Sequence, residues 1–223
     1  MTNVIIIPAY NPPSDFSHLL QSIRHVTSIP IIIVDDGSYP AVQVNKKYSN
    51  TILLINNINQ GKGYSLIKAF NFANDHGYSH AITIDCDFQH DPLIIPKFLS
   101  IDENITIVCG RRRFKDSMPL YRRLSNTITS IIVSFISDTS IYDSQCGYRR
   151  YRIDDVCGGI YKEHGFQFET EVIINLLHHG FSISHINIPT IYQIEKSNVR
   201  YFYDTFIFIK LIFRSIFLSV MTK

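Results

Sequence analysis

The chain has 223 residues, 45% of them hydrophobic and 18% charged, enough for a proper core in one large domain or two small ones. A formal net charge of +2, from 21 basic and 19 acidic residues, excludes a global pull toward nucleic acid, and no nucleic-acid partner is expected. Cys86, Cys109, Cys146 and Cys157 have neither CxxC pairing nor zinc spacing, which fits a reduced, cytoplasmic protein.

The opening run VIIIP is too short for a signal-peptide core and reads as a strand near residues 3–7. Further apolar strands near 30–34, 51–55, 80–85 and 105–109 alternate with helical periods near 15–27, 62–76 and 91–101. Ser14 is placed to cap the first helix, and Gly77 to stop the one over 62–76. After residue 110 the rhythm changes. The basic loop GRRRFKDSMP leads to a helix near 119–137, the segment DSQCGYRRYR, a helix near 167–179, a strand near 182–188 and an apolar tail. The alternation predicts an α/β fold, a mainly parallel sheet covered by helices.

No charge-free run reaches the roughly 18 apolar residues that a membrane-spanning helix needs. In the tail, residues 201–223, Asp204, Lys210 and Arg214 interrupt Phe, Ile and Leu at helix-like intervals, which predicts an amphipathic helix. Such a helix suits a membrane interface, and equally suits packing on the domain or on a second copy in a homodimer.

In open sheets of this kind ligands bind beyond the carboxyl ends of the strands, where this sequence concentrates its polar clusters. Asp85, Asp87 and Gln89 stand at i, i+2 and i+4, so in extended backbone they share one face while Cys86 and Phe88 take the other. Two carboxylates and an amide oxygen suit Mg²⁺ or Mn²⁺, with positions left for phosphates. The plainer alternative is a solvated acidic loop ahead of the helix that Asp91 and Pro92 begin. Asp35 and Asp36 end a strand before Gly37, where a carboxylate either meets a ribose or base or bonds its own turn. The NQGKG segment, residues 59–63, opens a helix with two glycines and Lys62, a pattern that attracts an anion or forms a simple turn.

Nine basic residues fall in three clusters: Arg111, Arg112, Arg113 and Lys115; Arg122 and Arg123; Arg149, Arg150 and Arg152. Two or three of these are expected to reach phosphate. His90, His178, His179 and Glu163 show no ligand spacing, and no GxSxG nucleophile elbow is present.

Taken in order, IPAYNPP, IIIVDDGS, NQGKG and TIDCDFQHDP resemble the nucleotide-sugar-binding half of family-two glycosyltransferases of the GT-A fold. LYRRLSNTITS, YDSQCGYRRYR, FQFETEVIINLLHHGFSISHINIP and the serine of EKSNVRYFYDTF are similar to the branch of dolichyl-phosphate mannose synthases and polyprenyl-phosphate glycosyltransferases. The resemblance implies a glycosyltransferase domain over 1–200, with a donor half over 1–110, an acceptor half over 111–200, and a C-terminal helix over 201–223. It implies that Pro8, Ala9, Tyr10, Asp36 and Lys62 line the nucleotide, and that Asp85 and Asp87 engage metal and diphosphate with Gln89 as a further metal ligand. By the same likeness Arg112 and Arg123 meet phosphate, Glu171 serves the acceptor side, and Gly147 and Tyr148 form its turn.

The implied reaction moves a hexose from a GDP- or UDP-sugar to a polyprenyl phosphate by direct, inverting displacement. A phosphate acceptor is already ionised and needs no general base, whereas a hydroxyl acceptor calls for one, with Glu169 or Glu171 the candidates. A soluble or glycan hydroxyl acceptor, and a module that binds without catalysing, stay open as alternatives. YQIEKSN lacks the arginine and glycine of the mannose synthase turn. Without the transmembrane pair of many polyprenyl-phosphate members, lipid would be reached through the tail or through a membrane partner protein.

Overall fold

The computed structural model describes residues 2–45, 48–112, 120–191 and 201–221. Among the described residues seven strands form one mixed sheet: β1 (Asn3–Ala9), β2 (Ile31–Asp35), β3 (Thr51–Ile55), β4 (His80–Thr83), β5 (Ile107–Arg112), β6 (Arg149–Arg152) and β7 (Ile183–Ile188). Their spatial order is β3-β2-β1-β4-β6-β5-β7, with β6 antiparallel to both neighbours and every other pairing parallel. The helices are α1 (Phe16–Val26), α2 (Lys62–Asp75), α3 (Ile95–Leu99), α4 (Leu120–Ile136), α5 (Ile153–Cys157), α6 (Phe168–His178) and α7 (Tyr201–Met221).

The unbroken apolar run of β1 follows from burial on both faces. Val4 and Ile6 join Leu66 and Phe70 of α2 and Val172 of α6 in one core. Ile5 and Ile7 join Leu19, Leu20 and Ile23 of α1 and Phe98 of α3 in the other. The strand continues through Pro8, past its expected end. Its pairing with β4 ends at Ile6↔Thr83, so the missing N–H of Pro8 breaks no ladder bond there.

β6 and α5 had no apolar signature, and DSQCGYRRYR gave no expectation of a strand. RRYR nevertheless fills the gap between β4 and β5 with Arg149 and Arg150 wholly buried. Arg149 donates to the carbonyls of Cys146, Glu169 and Ser144; Arg150 donates to those of Phe98, Ile101, Asp102 and Ile105. Arg152 pairs with Asp155. The third basic cluster is therefore built into the frame. Arg113, Lys115, the 192–200 segment that includes EKSN, and Lys223 lie outside the described residues, as does the side chain of Arg122.

Helix α7 packs against α4 and α6, with Leu211 and Ser215 buried. Among the described residues no helix is long and apolar enough to cross a membrane.

Candidate active site

The carboxyl ends of β1 to β4 converge with the amino end of α2, which begins at Lys62. Gly61 precedes it at φ +99°, and a Cβ there would collide with the His164 carbonyl. Only glycine lets the chain make this approach and present Lys62 inward. The Lys62 ammonium lies 2.7 Å from Asp85 Oδ1 and 3.1 Å from Glu169 Oε2. Burial alone would depress its pKa, but the two carboxylates more than offset that and raise it. Burial likewise opposes the Asp85 charge, and Lys62, with Arg112 adding to it, overcomes that, so the Asp85 pKa is lowered.

The expectation that residues 85–89 run extended is corrected. β4 ends at Thr83, Ile84 makes a last bond to the Ile6 carbonyl, and the chain then turns over 86–88 with Phe88 at φ +58°. The Asp87 carboxylate closes this turn by accepting from the Gln89 N–H at 3.1 Å. Strand alternation therefore does not set the directions of Asp85, Asp87 and Gln89; the turn does. Cys86 and Phe88 pack on the core shared with α1 and α3, and burial pushes the Cys86 thiol up to about 12.

His90 carries a role that its spacing did not suggest. Its buried Nδ1 accepts the Asp85 backbone N–H at 3.1 Å, and its ring stacks on Tyr148. Burial lowers its pKa to about 4, so it is a neutral acceptor that fixes the turn. Tyr148 in turn donates to the Asp91 carbonyl. Gly147 lies beside the charged trio: a Cβ there would come within 2.8 Å of Lys62 Nζ, Asp85 Oδ2 and Glu169 Oε1. Thr83 holds Gly147 in place by donating to its carbonyl at 2.7 Å.

Pro8 and Ala9 are buried at the end of β1, and Tyr10 beyond them is partly exposed. Asp35 accepts from the Ser38 and Val42 N–H groups and is a turn residue. Asp36 accepts from Asn56 Nδ2 and from the Gln60 and Gly61 N–H groups. Its carboxylate pins the NQGKG loop.

Arg112 forms a two-pronged pair with the buried Asp143, Nε to Oδ2 at 2.7 Å and Nη2 to Oδ1 at 3.0 Å. Asp143 opens the DSQCGYRRYR segment, where its spacing alone does not mark it as the partner of Arg112. Arg111 stacks over the ring of Tyr142, and Arg123 is half-buried in the first turn of α4. Glu171, assigned to the acceptor side by resemblance, has partners of its own. It accepts from the Lys162 and Glu163 N–H groups and pairs with Arg214 of α7 at 2.5 Å. Two residues along a helix turn by roughly 200°, so Glu169 and Glu171 face different neighbours, and Glu169 is the one that reaches Lys62 and lies beside Asp85.

Residues 4–158 match the family model described as glycosyl transferase family 2. The chain belongs to that family. It is 28% identical over 228 residues to an uncharacterised protein of Methanocaldococcus jannaschii, covering 90% of this chain and 99% of that one. It is 27% identical over 222 residues to the UDP-N-acetylglucosamine–dolichyl-phosphate N-acetylglucosaminyltransferase of Methanococcus voltae, 88% of each chain. The undecaprenyl-phosphate 4-deoxy-4-formamido-L-arabinose transferase of Photorhabdus laumondii matches at 28% over 159 residues, 66% of this chain and 48% of that one. In fold the chain resembles the glucosyl-3-phosphoglycerate synthase of Mycobacterium tuberculosis, crystallised with Mn²⁺, UDP-glucose and phosphoglyceric acid. The TM-score is 0.71 at 14% identity, with 98% of this chain and 79% of that one covered. This family-2 protein is a glycosyltransferase of the GT-A fold, similar to enzymes named for transfer to polyprenyl phosphates.

Proposed function

We propose that this glycosyltransferase moves a hexose from a nucleotide-sugar to a polyprenyl phosphate, with inversion and with Mg²⁺ or Mn²⁺ bound at Asp85, Asp87 and Gln89. The observation that carries the reading is the meeting of Lys62, Asp85 and Glu169 at the strand ends, in a chain that aligns along most of its length with a dolichyl-phosphate transferase.

The donor set fits such an ion. Asp85, Asp87 and Gln89 are partly exposed hard oxygen donors. An open site of this kind leaves coordination positions for a donor diphosphate. When bound, the ion neutralises charge on the departing diphosphate. Lys62 and the amino end of α2 supply positive potential to the same group. Tyr10 offers a partly exposed ring to the base, and Pro8 and Ala9 form the floor. Asp36 acts by holding the loop that carries Lys62. Arg112, kept in place by Asp143, and Arg123 receive the acceptor phosphate.

That phosphate is largely ionised at neutral pH, with a second pKa near about 6, so it attacks without a general base. Glu169 is accordingly free to serve Lys62. Glu171 fastens α7 to the loop before α6. The sequence divides in function as well, with residues 1–110 serving the donor and 111–200 the acceptor.

A lipid acceptor is supported by the outer faces of α4 and α7. Leu124, Ile128, Ile131 and Phe135 form one exposed stripe on α4, and Phe206, Ile209, Phe213 and Ile216 form another on α7. Two packed helices that both expose helical-period apolar stripes suit a lipid surface. The test is transfer from a panel of nucleotide-sugars to polyprenyl phosphate and to the matching unphosphorylated polyprenol, with Mg²⁺, Mn²⁺ or EDTA. Product from the phosphate alone, abolished by EDTA, is expected. Transfer to a soluble hydroxyl with polyprenyl phosphate inert overturns the reading.

A further inference from the structure

Lys62 is one ammonium between two carboxylates, 2.7 Å from Asp85 Oδ1 and 3.1 Å from Glu169 Oε2. Asp85 also belongs to the set assigned above to the divalent ion. The Asp85 carboxylate is therefore claimed by two cations, which repel strongly at such short separations in a partly desolvated site. The Lys62 side chain is only 15% exposed, so it cannot simply shed its partner into water.

Glu169 offers a ready alternative. Its side chain is 6% exposed, and among the described residues its buried Oε1 has no hydrogen-bond partner. An unfilled carboxylate oxygen in such a place is costly unless some state of the protein uses it. Oε1 and Asp85 Oδ2 both face the space that a Gly147 side chain would fill, within 2.8 Å of that Cβ position. Lys62 needs only to shift within this small space to exchange one carboxylate for the other. The Arg149 guanidinium holds the Glu169 carbonyl at 2.6 Å, so the backbone under the receiving carboxylate is fixed.

We propose that Glu169 is a positioning residue that takes over the Lys62 ammonium from Asp85 when a divalent cation binds. Without the cation, Lys62 stands in its place on Asp85 and keeps the acidic edge neutralised. With the cation bound, Lys62 stays inside the site, held by Glu169 and directed toward the donor phosphates. Glu169 thus affects metal binding through Lys62 and touches neither metal nor substrate. The inference rests on the metal-dependent reading given above.

The experiment measures Mn²⁺ binding to the full chain, without nucleotide-sugar, from the electron paramagnetic resonance signal of free Mn²⁺. Glu169→Gln is expected to weaken binding about tenfold, because Lys62 loses its alternative partner and competes harder for Asp85. Lys62→Met removes the competitor and tightens binding. In the Lys62→Met background, Glu169→Gln changes the affinity by less than about twofold. Equal weakening by Glu169→Gln in both backgrounds overturns the proposal, since simple loss of a nearby negative charge would act that way. Weaker or unchanged binding in Lys62→Met overturns it as well, and that single variant decides the matter if Glu169→Gln does not fold. Absence of Mn²⁺ binding in every protein, wild type included, overturns the metal-dependent reading and the exchange together.

Discussion

Along β3, β2, β1 and β4 the functional charges stand just past the ends of apolar strands, whereas β6 carries Arg149 and Arg150 through the interior of the sheet. In the first region Asp36, Lys62 and Asp85 lie on turns and a helix end, where ligand can reach the partly exposed ones. In the second the guanidinium groups bind backbone carbonyls: Arg149 those of 144 and 146, and Arg150 those of Phe98 at the end of α3 and of Ile101, Asp102 and Ile105 in the loop after it. The difference lies in geometry. A parallel strand pair delivers its loops to one edge, so charges gather there. An antiparallel strand inserted between β4 and β5 leaves irregular loops on both sides, and a five-donor fork is well suited to bind them together.

Mutations at equivalent charges should therefore fail in different ways. Asp87→Ala in the first region is expected to lower transfer about 10³-fold while the thermal midpoint stays within a few degrees, measured by product formation and circular dichroism in parallel. Equal losses of stability and activity would erase the distinction. Arg150→Met in the second region should lower unfolding free energy by about 3 kcal/mol, because carbonyls of the 98–105 loop lose their donor inside the protein. Denaturant titration reads this, and turnover per folded molecule should remain within about twofold of wild type.

A smaller effect is expected where the two regions meet α7. Glu171→Gln weakens the contact with Arg214 and should cost about 1 kcal/mol, with faster hydrogen exchange in α7 and little change in β1 to β4. The smallest concerns pH. Burial, with Arg111 and Arg149 nearby, lowers the His185 pKa to about 4 from the usual value near about 6.5. The unfolded chain then binds this proton first, so stability is full above about pH 6.5 and declines as pH falls toward 4. His185→Phe should flatten part of that decline in the thermal midpoint, and an unchanged slope would assign it to other groups.

Much of this was legible in the chain itself. β1, β2, β3 and β4 are mostly apolar runs that give way to polar or turn-forming residues within a position or two of their ends, and their places follow from that pattern. RRYR was not legible as a strand because its arginines are buried by partners distant in sequence, and no local period reports that. The turn at 86–88 was hidden for a related reason: DCDFQ alternates as a strand does, and only the end of pairing at Thr83 and the His90 contact bend it. The choice between Glu169 and Glu171 depended on knowing where α6 faces. Family pattern favoured the second, and the fold brings the first to Lys62.

The most direct test of the account is crystallographic: crystals grown with Mn²⁺ and a nucleoside diphosphate, mapped by anomalous scattering from the metal. One peak is expected beside Asp85 and Asp87 at the ends of β1 and β4, next to the diphosphate, with Lys62 turned onto Glu169. A nucleotide and metal bound elsewhere, with Lys62 still on Asp85, would contradict it.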